Sequence, residues 1–302
     1  MKLAIPDLIS NSYFPALAAA ELGYFEREGL DVTAELIFPV DRAYEALRDG
    51  AVDFVGGAAH GALAAFTEWR GVKLIGALSQ GMYWLLVMRR ELGIGRGDLA
   101  ALKGKRIGAA PWVEMGLRGL LTAAGLEPRR NDIRIGPVPG ATGASINFGL
   151  TAAQALEQGE IDGFWANGMA TEIAVTGGFG TIVLDVRRGD GPPGCFDYTM
   201  PVLAMRDPTD DRSIEIAALA LRGLIATQNA LKADVSLATE VGKRRFPQRE
   251  AALIAGIVER DLPFYTAEIS EHSFNTINDF ARHMSILDED LPYSEVVWRG
   301  ER

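Results

Sequence analysis

Residues 46–60 read A-L-R-D-G-A-V-D-F-V-G-G-A-A-H. The stretch has the form of a helix end, a glycine turn, a buried strand and a tight loop. The same pattern returns at 155–162 as A-L-E-Q-G-E-I-D, followed by G-F-W-A-N-G. A unit that recurs once, at long separation, indicates two similar α/β lobes; a solenoid needs three or more copies. In both copies a glycine, Gly50 or Gly159, stands where a helix C-cap requires positive φ. Asp53 and Asp162 stand at the strand entrance. The far end of each strand runs into small or polar residues, and open parallel sheets bind ligands at such strand ends.

Outward from these copies, apolar runs and turn signals predict strands at 2–5, 31–38, 52–55, 72–78 and 85–88. Further strands are expected at 106–109, 133–135, 161–165, 181–186 and 199–205. Helical patterns lie between them, including 61–69, a helix starting at 111–114 and running to about 124, and 168–176. Strands alternating with helices predict βαβ units and an α/β fold with mixed, mostly parallel sheets. The segment 187–198, R-R-G-D-G-P-P-G-C-F-D-Y, is the clearest break, being rich in turn formers and without periodicity. After it, 199–205 reads as a strand returning to the first lobe, and three apolar helical stripes follow. The predicted division is a discontinuous lobe of 1–88 plus 197–302 and a second lobe of 89–196.

The chain has 302 residues, 48% hydrophobic and 23% charged, with 34 glycines and a formal net charge of −10. No Lys/Arg stripe forms, which argues against nucleic acid and against an anionic membrane surface as partners. One cysteine, Cys195, allows no internal disulfide, and no Cys/His spacing suits zinc, so no metal is expected. G-x-S-x-G, H-E-x-x-H and a dinucleotide fingerprint do not occur, and no cofactor is expected. No apolar run approaches a membrane span. The opening M-K-L-A-I-P-D-L reads as a strand. The expected location is periplasmic if a leader has been trimmed and cytoplasmic if Met1 is the native start.

Four motifs together resemble a known family. The run P-A-L-A-A-A-E-L-G-Y-F-E-R-E-G-L-D-V at 15–32 is similar to the first helix-and-strand signature of solute-binding proteins of nitrate, taurine and aliphatic-sulfonate ABC transporters. A-L-R-D-G-A-V-D-F, D-L-A-A-L-K-G-K-R-I-G and A-L-E-Q-G-E-I-D-G resemble three further signatures, in the same order. The resemblance implies a type II periplasmic-binding-protein architecture: two Rossmann-like lobes, two crossover segments, and a ligand between the lobes. It also implies a monomer that delivers a small organic ligand to an ABC permease. Thiamine-pyrimidine synthases and some decarboxylases and desulfinases share this fold, so fold alone does not set function. The cysteine-rich iron-binding motif of the synthases has no counterpart in a chain with one cysteine.

Loops after the strands supply the candidate ligand-binding residues. These are Asn11, Ser12 and Tyr13; Gly57 and His60; Tyr83 and Trp84; Trp112 and Glu114; and Trp165 and Asn167. Trp165 and Asn167 suit stacking on, and hydrogen bonding to, a heterocyclic or aromatic ligand. The other reading of a tryptophan at a strand end is lobe core. His60 reads either as a ligand contact or as a structural histidine bonded to a carbonyl. At the second-lobe helix, Pro111 removes an N–H donor and Glu114 sets a carboxylate at the positive end of the dipole. Both features weigh against nitrate, sulfate or a short alkyl sulfonate. Arg118 and Arg70 are the candidates to offset this. The competing function is a lyase or decarboxylase using His60, Glu114 or Cys195.

Overall fold

The computed structural model describes residues 1–143 and 146–300; the last two residues of the expected first lobe, 301 and 302, lie outside it. Among the described residues ten strands form two five-stranded sheets. The first sheet holds β1 (Lys2–Ile5), β2 (Thr33–Leu36), β3 (Phe54–Ala58), β4 (Val72–Ala77) and β10 (Pro201–Arg206), in the order β2-β1-β3-β10-β4. The second holds β5 (Leu85–Arg89), β6 (Arg106–Ala109), β7 (Arg134–Gly136), β8 (Gly163–Ala166) and β9 (Gly180–Asp185), in the order β7-β6-β8-β5-β9. The two orders are equivalent. In each sheet the fourth strand, β10 or β5, runs antiparallel to both its neighbours, and the remaining pairings are parallel.

β5 corrects the expected boundary. It pairs with β8 and β9, so the first passage between sheets falls at 78–84 and not after 88. β10, after the second passage, returns to the first sheet between β3 and β4.

The repeat has the same physical role in both lobes. Helices α3 (Val40–Arg48) and α5 (Phe148–Glu157) end in left-handed glycines, Gly50 at φ 76° and Gly159 at φ 74°. Each end closes with paired Schellman hydrogen bonds, Ala51 N–H to Ala46 and Gly50 N–H to Leu47 in one, Glu160 N–H to Ala155 and Gly159 N–H to Leu156 in the other. The aspartate that follows then clamps the start of the parallel strand next to its own, β1 or β6. Asp53 accepts the Lys2 N–H at 2.7 Å, and Asp162 accepts the Arg106 N–H at 2.8 Å.

The expected helix at 61–69 is replaced by two 3-10 turns, Ala59–Ala64 and Thr67–Trp69, with Glu68 and Trp69 at positive φ. Tertiary anchors outweigh helix propensity here. The Glu68 carboxylate accepts the N–H groups of Asp288 and Glu289, and the Trp69 indole donates to Asn278. α7 (Asp211–Ala233) is, by length and composition, apolar enough to cross a membrane, contrary to the expectation from sequence. One of its faces, with Ala217, Ala220, Leu224 and Leu231, is buried against α1 (Phe14–Glu21), α2 (Tyr24–Arg27) and β4.

Candidate binding site between the two sheets

Residues that follow strand C-termini of both sheets meet at one place. Asp7 and Tyr13 follow β1, Phe38 and Val40 follow β2, Ala110, Pro111 and Val113 follow β6, and Asn167 follows β8. With Tyr83 and Trp84 from the first passage they line an inner cavity of about 30 Å³, room for one water molecule. An apolar recess of about 530 Å³ opens beside it and shares Phe38, Pro111 and Phe148 with the inner cavity.

Direct hydrogen bonds hold the two sheets' loops together around this space. Asp7 Oδ2 accepts the Gly149 N–H and the Asn167 Nδ2–H, both at 2.9 Å. Asn11 Oδ1 accepts the Gly168 N–H at 3.0 Å. A Cβ at Gly149 would come within 2.9 Å of the Asn167 amide, and one at Gly168 within 2.8 Å of Asn11, so glycine is what permits each approach. Asn167 also caps α6 (Gly168–Thr176), its Oδ1 accepting from Met169 and Ala170. The Tyr13 and Tyr83 hydroxyls lie 2.6 Å apart.

Among the described residues Asp7 is the one acidic side chain that lines the inner cavity, and it is 6% exposed. Burial lifts its carboxyl from 3.8 to about 6, against the opposite pull of the Gly149 and Ile9 N–H groups and the Asn167 amide. The sequence reading passed over it. The signal was present: an aspartate directly after the first strand, at a sheet's ligand-binding end, two residues past Ile5.

Of the expected site residues, Tyr13, Tyr83, Trp84 and Asn167 line the inner cavity. Asn11 and Tyr83 line a separate polar space of about 110 Å³ beside Arg187 and Asp261. Ser12 and Gly57 are buried away from these spaces. His60, expected either as a ligand contact or as a structural histidine bonded to a carbonyl, lines neither the inner cavity nor the recess. It is fully enclosed, Nε2 lies 3.0 Å from the Trp112 carbonyl oxygen, and Nδ1 lies 2.9 Å from Thr199 Oγ1. A carbonyl only accepts, so Nε2 carries the proton and Nδ1 accepts from the threonine hydroxyl. Burial pushes the ring down to about 4, the Trp112 carbonyl opposing, and the imidazole is neutral near pH 7. Trp112 itself is held at φ 68° just before α4 (Val113–Ala123). That strained backbone sets its carbonyl on His60 rather than its ring in the cavity.

Glu114 lies in the first turn of α4 and lines neither space. Burial raises its carboxyl, with hydrogen bonds from its own and the Trp112 backbone and the Arg118 charge pulling down and Asp41 pushing up. Asp41, in the first turn of α3, is raised chiefly by burial as well. Asp41 Oδ1 and Glu114 Oε2 are both buried without a partner. The two helix starts that flank the site thus carry their own carboxylates. Arg118 donates to the Ile135 carbonyl and Arg70 pairs with Glu289, so neither lines the inner cavity or the recess.

Trp165, expected either as a stacking surface or as lobe core, lines neither the inner cavity nor the recess. It is fully buried on β8, 6.2 Å from the Trp84 ring, and its indole N–H is unpartnered. Trp165→Ala is expected to cost about 3–5 kcal/mol of folding stability, read as a lower urea midpoint. Unchanged stability with weakened ligand binding would return it to the cleft. Cys195 is buried beside the second passage, and burial pushes its thiol up to about 11.

No curated protein matches the chain by sequence. Solved structures match it across nearly its whole length. The alkanesulfonate-binding protein SsuA of Xanthomonas axonopodis pv. citri, bound to MOPS, is 15% identical at a TM-score of 0.71, over 99% of this chain and 98% of that one. The periplasmic aliphatic sulphonate-binding protein SsuA of Escherichia coli is 14% identical at 0.68, over 99% and 92%. The periplasmic nitrate-binding protein NrtA of Synechocystis PCC 6803 is 14% identical at 0.68, over 97% and 82%. At these identities the likeness concerns the fold: two α/β sheets joined by two passages, as the sequence reading expected. The family described as NMT1/THI5 like matches residues 10–177, more than half the chain, and the protein belongs to that family.

Proposed function

We propose that the protein is the solute-binding component of an ABC-type importer, located in the periplasm, that captures a small organic ligand between two lobes and presents it to a membrane permease. The lobes are 1–84 plus 197–300 and 85–196, and the protein acts as a monomer. One observation carries the reading. The cavity is lined from both sheets, at the C-terminal ends of their parallel strands, where open α/β sheets bind ligands. Its fold neighbours that bind sulfonates and nitrate support the same reading. The ligand carries a heterocyclic or aromatic ring, in keeping with the tyrosine, tryptophan and phenylalanine lining. The enzymatic alternative asks for chemistry from His60, Glu114 or Cys195. Both His60 nitrogens are engaged and the Cys195 thiol is pushed away from its nucleophilic form, so binding is the better supported reading.

An inner space the size of one water requires the lobes to part before a ligand enters, by rotation at the two passages. Small-angle scattering is expected to give a larger radius of gyration for the protein alone than for its ligand complex. A radius that no ligand changes would argue for a rigid enzyme.

A further inference from the structure

The inner cavity and the outer recess lie in series, and their chemistry differs. The inner cavity has a buried carboxylate, Asp7, and among the described residues no lysine or arginine lines it. The recess is lined mainly by proline, alanine, valine and phenylalanine. Arg42 is the charged residue on its wall, and it is already paired with Glu45 at 2.6 Å. Between the two spaces stand two phenylalanines, one from each lobe. Phe38 follows β2 and Phe148 opens α5. Their rings are nearly parallel, with centroids 5.9 Å apart and 13° between planes. Parting the lobes separates these rings, and a flat group can then slide between them.

From this we infer that the ligand is amphiphilic: an amine or N–H heterocycle as head, donating to Asp7, with a flat apolar body held between Phe38 and Phe148 and extending into the recess. The inference rests on the solute-binding reading and specifies its ligand class. Three features converge on it. Asp7 uses one Oδ1 contact, to the Ile9 N–H, and two Oδ2 contacts, which leaves acceptor capacity on a carboxylate with about four lone-pair sites. The three N–H donors on Asp7 are neutral and leave its buried negative charge without a cation, a cost that a cationic or N–H ligand donor would offset. The recess, at about 530 Å³, far exceeds the roughly 150 Å³ apolar cavity that admits benzene, and so has space for a two-ring body. Asp41 and Glu114, in the first turns of the two flanking helices, occupy the helix ends that would otherwise favour the same body with an anionic head.

The test compares pairs of probes that share a ring and differ in the head: tryptamine against indole-3-propionate, and 2-naphthylmethylamine against 2-naphthylacetate. Calorimetry on the full chain at pH 7.5 should show each amine binding at least about 30-fold more tightly than its acid. Asp7→Asn, checked for folding by circular dichroism, should abolish the preference. Phe148→Ala should weaken the amines about tenfold and leave the preference in place. Acids that bind as tightly as amines to the wild type, or a preference that survives Asp7→Asn, would overturn the head-group assignment. Scattering with propane-1-sulfonate separates the two levels of the argument. Compaction with the sulfonate and none with the amines refutes the ligand class while the solute-binding reading stands. Compaction with none of the probes counts against both.

Discussion

Arg187→Met is expected to lower folding stability by about 3–5 kcal/mol, because it strands a buried carboxylate. Arg187 lies in the second passage between the sheets, its side chain 3% exposed. Its Nη1 donates to Asp261 at 2.8 Å, its Nε to the Gln80 carbonyl at 3.0 Å, and its Nη2 to Ser79. Gln80 and Ser79 belong to the first passage, and Asp261 ends α9 (Gln248–Asp261). One guanidinium therefore ties both passages to the end of α9. With the arginine gone, Asp261 keeps only the Asn11 amide and Arg188 at 3.8 Å. Arg187→Met/Asp261→Leu should recover more than half of the loss, since a hydrophobic pair of similar volume replaces a buried ion pair at little net cost. Urea unfolding of the single and double variants measures both quantities. A single-variant loss below about 1 kcal/mol would mean that solvent reaches Asp261.

His60→Ala is the second large effect. At pH 7.5 it should cost about 3–5 kcal/mol, from the cavity left among Trp84, Trp112 and Phe280 and from the Trp112 carbonyl and Thr199 hydroxyl left unpaired. The cost is expected to shrink in acid, and the sign follows from the direction of the shift. The folded ring titrates at about 4 and the unfolded ring near 6.5. Between those values the unfolded chain binds the proton and the folded one does not. Stability from the neutral ring is therefore fully present above pH 6.5 and is lost as pH falls towards 4. The full shift corresponds to about 3 kcal/mol. Asp7 works in the opposite sense, its folded carboxyl at about 6 and its ordinary value at 3.8, so folding is penalised as pH rises through that window. Asp7 is common to wild type and variant, and the difference between their pH profiles isolates His60. A difference that stays constant from pH 7.5 to 4.5 would show that folding does not lower the proton affinity of His60.

What could be read from the sequence was local. The repeat at 46–60 and 155–162 could be recognised because a glycine after a helix and an aspartate before a strand act within a few residues of themselves. Gly50 and Gly159 close Schellman ends, and Asp53 and Asp162 clamp the neighbouring strand. The succession of ten strands was legible for the same reason, since alternation and turn formers are short-range signals. Tyr13, Tyr83, Trp84 and Asn167 reach the cavity because they follow strand ends or lie in the first passage, positions that strand order alone marks out.

Tertiary structure decided the rest. The sheet to which β5 belongs depends on β8 and β9, which follow far along the chain, and an edge-to-edge choice of this kind leaves no trace in the strand's own residues. His60 is engaged by a carbonyl 52 residues on and a hydroxyl 139 residues on. Trp165 was enclosed by the packing of β8, although its position at a strand end looks the same in sequence as a ligand contact. Asp7, Phe38 and Phe148 are ordinary loop or helix-start residues until the lobes meet. Only then does burial lift the Asp7 carboxyl and bring the two rings into register. Desolvation and ring packing are set by what arrives from elsewhere in the chain, so a binding site formed between two lobes takes its chemistry from the closed structure.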